Sequence, residues 1–247
     1  MPSELLKIKW VLTDRCNLSC NFCYAGSSPT SSYGLTTKQL FKIQDKVNNS
    51  TVKHISLIGG EPLLRKDLPE IVARFRPDIT LSLDTNGTLL VNEWQEWYRN
   101  RFLHVSIGIE GPPEINERSR QMTAEAINAI SFLKKEGVKI NVPVVVNKSN
   151  FADLEEMVHF ICKLGVNYIQ LNKYSPVDGS NNRKLSLSAQ EEEIALNKAF
   201  SLIDLNLNCK IGFAGWYHPL VFSKSTLKAF PSCFCGYYTA SISSNGN

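Results

Sequence analysis

The chain contains no apolar run approaching the roughly 20 residues that a membrane-spanning helix needs, so no membrane partner is expected. The segment Met1 to Val11 has no arginine-rich start followed by a long apolar stretch and a small-residue cleavage site. No secretory signal is legible there, and the cytoplasm is the expected compartment. Runs of one charge sign are missing as well. The net charge is +4 over 247 residues, spread along the chain, which leaves no electrostatic footprint for nucleic acid. Histidine is scarce, and His54, His104, His159 and His218 lack metal-ligand spacing, so structural roles are expected for them. Internal repeats and low-complexity tracts are also absent. What is present, 43% hydrophobic and 20% charged residues, suits an ordinary globular protein with a large core.

Short β-rich runs alternate with longer helical patterns. Strands are expected at Lys7–Leu12, Val52–Ile58, Ile79–Asp84, Leu103–Ile109, Lys139–Val146 and Tyr168–Leu171. Several are nearly continuous apolar stretches, as strands covered on both faces require. Helices are expected at about Thr37–Asn48, Leu68–Phe75, Asn92–Arg99, Met122–Glu136 and Asp153–Leu164, where apolar residues recur every three or four positions. Lys135-Glu136-Gly137 and Lys163-Leu164-Gly165 end two of these helices with a glycine able to take positive φ. A further helix, Leu187–Leu205, opens with Ser188 and Glu191 in capping-box spacing. From Cys209 onward the chain reads as a short irregular appendage and not as a seventh unit. Six βα units make a right-handed parallel sheet, either open and doubly wound or a partial barrel. In both, ligands gather beyond the carboxyl ends of the strands.

Seven cysteines is an odd number, and three of them crowd into the loop Cys16-Asn17-Leu18-Ser19-Cys20-Asn21-Phe22-Cys23 directly after the first strand. A disulfide-stapled secreted domain is not built this way. Three thiolates on one short loop can bind three irons of a cubane and leave the fourth open to an exogenous ligand. The competing readings are a structural zinc site, which usually takes four protein ligands where this loop offers three, and unrelated free thiols. Cys162, among apolar neighbours on a helix, is expected in the core.

The C-x3-C-x2-C spacing, with the aromatic Phe22 before its last cysteine, resembles the signature of the radical S-adenosylmethionine (SAM) superfamily. The resemblance spans about Lys7 to Leu205. It implies an α/β fold, a partial (βα)6 TIM-like barrel with a short C-terminal appendage. It also implies a [4Fe-4S] cluster on Cys16, Cys20 and Cys23, which are then the metal-binding and catalytic residues. SAM would chelate the open iron, and reductive cleavage would yield a 5′-deoxyadenosyl radical that abstracts a substrate hydrogen. A one-electron donor such as flavodoxin or ferredoxin follows as a partner.

Further motifs match the family by position. Gly59-Gly60-Glu61-Pro62 reads alone as a turn, but in this context resembles the GGEP motif whose backbone and glutamate bind the SAM amino group. Asp84-Thr85-Asn86-Gly87-Thr88 reads as a turn or, by resemblance, as the site rim, with Asn86 as its main residue. Val105 to Pro112 and the later Arg120 resemble a segment in which a serine touches the SAM ribose and an arginine meets its carboxylate. Gly108 stands at the serine place, and Ser106, two residues earlier on the same side of the strand, is the substitute. Arg120 is preferred over Arg118 for the carboxylate, Ile109 is assigned to the adenine pocket, and Asn147 either reaches SAM or substrate or caps the next helix.

The tail, Phe230 to Gly236 and Ala240 to Asn247, resembles the start of a SPASM or twitch extension. The division expected is a core at 1–205 and an incomplete extension at 206–247. Cys233 and Cys235 are too few to close a cluster, so an auxiliary Fe-S cluster is expected only if the full-length chain continues. The resemblance favours peptide or protein modification. A small-molecule or cofactor-precursor substrate is the alternative, and a non-catalytic zinc or Fe-S module is the rival from another class.

Overall fold

The computed structural model describes residues 6–176, 182–205, 207–216 and 239–247. Eight parallel strands form one curled half-barrel sheet in the order β7-β6-β5-β4-β3-β2-β1-β8. The strands are β1 (Lys7–Val11), β2 (His54–Ile58), β3 (Thr80–Thr85), β4 (Phe102–Ile107), β5 (Ile140–Val146), β6 (Tyr168–Lys173), β7 (Lys210–Ala214) and β8 (Thr239–Ile242). Helices α1 (Thr37–Asn48), α2 (Leu68–Ala73), α3 (Leu90–Glu93), α4 (Pro113–Asn116), α5 (Thr123–Lys135), α6 (Leu154–Lys163) and α7 (Ala189–Asp204) fill the crossovers. Local chemistry sets their ends. Thr36 and Gln39 form a capping box on α1, Ser188 and Glu191 form one on α7, and Gly137 and Gly165 take positive φ just after α5 and α6. None of the described helices is long and apolar enough to cross a membrane.

The core lies between the outer face of the sheet and the helices. Ile8 and Trp10, Ile55 and Leu57, Leu81 and Leu83, Val105 and Ile107, Val142 and Val144, and Ile169 and Leu171 point outward by strand alternation. They pack on Leu40, Ile71, Ile130, Met157 and Leu196 of the helices. Each such buried side chain stabilises the fold by about 1.5–3 kcal/mol relative to exposure.

The inner face differs from the doubly covered strands that the apolar runs implied. No described helix covers it, and it carries Lys7, Lys9, His54, Ser56, Thr80, Ser82, Asp84, His104, Ser106, Asn141, Gln170 and Asn172. Its members bond to one another: the His54 ring meets the hydroxyls of Thr80 at 2.9 Å and Ser82 at 3.1 Å, and His54 stacks on His104.

Three other expectations change. Of the described residues after Cys209, Lys210–Ala214 and Thr239–Ile242 are regular strands: β7 pairs with β6 and β8 pairs with β1 at the two sheet edges. An edge strand packs against one neighbour and needs no continuous apolar run. The single helix expected at Asn92–Arg99 is α3 followed by a 3-10 turn, since the backbone extends at Trp94 and turns its ring onto Tyr98, Phe102 and Phe132. Cys162 forms a disulfide with Cys209, which β7 brings against α6. Cys233, Cys235 and His218 lie outside the described residues.

Candidate active site

The cysteine loop leaves β1 at the carboxyl edge of the sheet and is held by backbone contacts from its neighbours. Gly60 N–H donates to Thr13 O at 2.7 Å and Glu61 N–H to Arg15 O at 2.9 Å, one residue before Cys16. On its far side, Asn21 N–H donates to Ser119 O at 3.2 Å and its amide to Arg118 O at 3.3 Å. The two glycines permit this approach: a Cβ on Gly59 would lie 2.5 Å from Thr13 O, and one on Gly60 would run into the carbonyls of Arg15 and Asp14.

Cys16 is buried, Cys20 and Cys23 are half-buried, and none of the three is disulfide-bonded. Burial pushes the Cys16 thiol up, while the Leu18 N–H and the Asn86 amide pull it back by donating toward sulfur. Burial also raises Cys20, opposed by the nearby positive charge of Arg120. Among the described residues no three His, Cys, Asp or Glu side chains converge to hold a single metal ion. A cubane needs no such convergence, because each thiolate takes a different iron. Three thiolates on one loop suit a [4Fe-4S] cluster better than a structural zinc, which usually takes four protein ligands.

Glu61 is fully buried. Its carboxylate accepts from Leu63 N–H at 3.0 Å, Thr85 O–H at 2.8 Å and Asn86 N–H at 2.8 Å, so it ties the loop after β2 to the loop after β3. These three donors are partners of Glu61 beyond the ligand contact expected of its side chain. Burial raises its pKa, with these donors acting in the opposite sense. Asn86 is nearly enclosed and joins the cysteine loop, donating to Asn17 Oδ1 at 2.9 Å and toward Cys16 Sγ at 3.7 Å.

Arg120 is the arginine that the fold brings inward. Its guanidinium lies 5.0 Å from the Phe22 ring centroid and donates to Glu110 through Nε at 3.1 Å and Nη2 at 2.7 Å. Arg118 is exposed and pairs with Asp153 at 3.4 Å. Ser106 sits on the inner face with its hydroxyl on Asp84. Ile109, expected in the adenine pocket, is fully buried and belongs to the main core. Asn147 is fully buried and its side chain bonds to Ser149 and Val145 in its own loop, while Asn150 and Asp153 stand at the starts of the following helical turns.

A family model described as the Radical SAM superfamily matches residues 10–161. The chain belongs to the radical SAM superfamily. Members of this family are enzymes that use a [4Fe-4S] cluster and SAM. The chain is 30% identical over 184 residues to Fe-coproporphyrin III synthase of Methanosarcina barkeri, covering 66% of this chain and 46% of that one. Its identity to the sporulation killing factor maturation protein SkfB of Bacillus subtilis is 27%, covering 74% of this chain and 46% of SkfB. In fold it resembles Streptococcus suis SuiB bound to SAM, with a TM-score of 0.81 at 17% identity over 98% of this chain and 59% of SuiB. The chain spans about half the length of the curated relatives it matches.

Within this radical SAM site, Glu110 is the residue that the sequence reading missed. Ser106, Gly108 and Glu110 alternate on one side of the chain, and Glu110 precedes Arg120 by ten positions with the opposite charge. That pattern was legible. Its partner choice was not, because it depends on the loop that folds Arg120 back over Gly108.

Proposed function

We propose that this chain is the catalytic core of a radical SAM enzyme that modifies a peptide or protein substrate. In this reading Cys16, Cys20 and Cys23 hold the cluster, and the edges of Gly59 and Gly60, with Arg120, face SAM. When bound and reduced by an external one-electron donor, the cluster would supply the electron for reductive cleavage of SAM, the chemistry that furnishes a hydrogen-abstracting radical. The chain's own residues orient these partners and exclude water.

The observation that carries the peptide reading is the polar inner face below the cysteine loop. Asp84 with Ser106, the hydroxyls of Ser56, Thr80 and Ser82, and the His54 and His104 rings offer acceptors and donors to amide groups. A flat tetrapyrrole asks instead for apolar and aromatic contact over its faces. SkfB and the peptide-bound form of SuiB are consistent with this choice. The likeness to Fe-coproporphyrin III synthase favours the second reading, a cofactor precursor. The proposal treats 1–205 as the core and 206–247 as the start of a SPASM- or twitch-like extension, of which β8 and the turn Ser243–Asn247 are described. It also takes a flavodoxin or ferredoxin as electron donor and the cytoplasm as compartment.

The test is anaerobic reconstitution, then dithionite and SAM, with 5′-deoxyadenosine measured alone, with a short peptide encoded beside the gene, and with coproporphyrin. Stimulation by the peptide, lost in Asp84→Asn while the unstimulated rate persists, is the expected result. Stimulation by the tetrapyrrole alone would transfer the assignment to cofactor synthesis. An iron-loaded chain that makes no 5′-deoxyadenosine would end the radical reading.

A further inference from the structure

Three features box the Arg120 guanidinium, and together they leave one part of it unused. Glu110, fully buried, takes Nε at 3.1 Å and Nη2 at 2.7 Å on a single oxygen. Its other oxygen accepts the Val145 N–H at 2.7 Å. That second bond has a cause in the sheet: β4 and β5 pair only at Val105–Ile140 and Ser106–Asn141, and Pro143, within β5, has no N–H to offer. Where the ladder lapses, Glu110 takes over, so it is anchored to both strands. Phe22 covers the guanidinium from one side at 5.0 Å. Gly108 makes room on another, where a Cβ would stand 2.5 Å from Nη1. Among the described residues Nη1 has no hydrogen-bond partner, and the side chain remains 15% exposed.

We propose that Glu110 is a positioning residue for SAM: it holds Arg120 flat across the bare backbone of Gly108, so that Nη1 stays free beside the cysteine loop to receive a carboxylate. The inference rests on the reading that this loop holds the cluster and its SAM. Because Glu110 and Arg120 are paired, the site attracts the carboxylate through a directed N–H more than through net charge. Gly108 is part of the device. Any side chain there would have to displace a guanidinium that is pinned by the ion pair and the ring, and a pinned end does not swing aside as a free arginine would.

The experiment measures the dissociation constants of SAM and of decarboxylated SAM on the reconstituted full chain, with iron and sulfide per chain as the control. Glu110→Ala is expected to weaken SAM about ten- to a hundredfold at unchanged iron, with Glu110→Gln recovering part of the loss. Decarboxylated SAM, which lacks the group Nη1 receives, is expected to bind wild type and Glu110→Ala alike. Gly108→Ser is expected to imitate Glu110→Ala, and the double variant to be no worse than either one. Equal weakening of both ligands by Glu110→Ala, or additive losses in the double variant, would overturn the inference while leaving the radical SAM reading intact. An iron-loaded wild type that binds no SAM would overturn both.

Discussion

Glu61 accepts a hydrogen bond from the backbone N–H of Asn86 at 2.8 Å, and through it a carboxylate with no exposed surface joins two neighbouring active-site loops. Asn86 in turn reaches Cys16 and Asn17 with its amide. A chain of contacts thus runs from the loop after β2, through the loop after β3, to the first cysteine.

This chain of contacts makes Glu61 a brace, and its loss should differ from the loss of a ligand contact. Glu61→Ala leaves the Leu63 N–H, Thr85 O–H and Asn86 N–H without an acceptor in a buried site. At about 1 kcal/mol or more for each of the three unsatisfied groups, a loss of at least about 3 kcal/mol is expected, with Glu61→Gln losing less. Thermal unfolding and iron content should fall together in Glu61→Ala. A variant of normal stability and full iron content that only binds SAM weakly would show the brace to be wrong.

The cysteines should separate into two classes. Cys16→Ala, Cys20→Ala and Cys23→Ala are each expected to lose the cluster's iron and all SAM cleavage, since each removes a ligand. Cys162→Ser and Cys209→Ser should leave iron and sulfide per chain unchanged, because this pair joins α6 to the segment entering β7. Iron analysis of the five variants decides the matter.

The inner face carries a pH dependence through His54. Burial, then the charges of Lys7 and His104, lower its pKa from 6.5 to about 4. The folded chain therefore resists a proton that the unfolded chain accepts below 6.5. The stability held above pH 6.5 is lost progressively as the pH falls towards about 4. With allowance for solvent screening of a partly exposed ring, the loss is roughly 1–2 kcal/mol. Denaturant titrations across this window should show a flatter profile for His54→Gln than for wild type. Parallel profiles would contradict the assignment.

The parts of the site legible in the sequence were those whose chemistry is local. The cysteine spacing, the capping box at Ser188, and the glycines after α5 and α6 act within a few residues, and the box and the glycines stand where their spacing placed them. Arg120 was separable from Arg118 on its match to the family segment. Contacts between loops were not legible in this way. Nothing near Glu61 shows that three donors from β3 and its own turn surround it, and nothing near Cys209 shows that it meets Cys162, 47 positions earlier. The polar inner face was hidden for a different reason: strands such as His54–Ile58 mix both faces in one short run, and their outward leucines and isoleucines dominate the reading.

Gly60 offers the sharpest test of how the cysteine loop is seated. A Cβ at this position would meet the carbonyl of Arg15 and, at 2.7 Å, that of Asp14. Both are backbone atoms of the loop, so neither can rotate away as a side-chain end would. Relief requires the loop to lift, which strains the bonds from Gly60 N–H to Thr13 O and from Glu61 N–H to Arg15 O and shifts Cys16 next to them. Gly60→Ala should therefore lose about 2–3 kcal/mol of stability together with most of its iron. Gly137→Ala is the control. Its φ of +70° strains any other residue, but a Cβ there meets nothing within 4 Å, and it ends α5 far along the chain from the cysteines. It should lose about 1 kcal/mol and keep its full iron content. Unfolding midpoints and iron per chain for the two variants provide the comparison, and Gly60→Ala with wild-type iron would mean that the loop is not seated on this glycine.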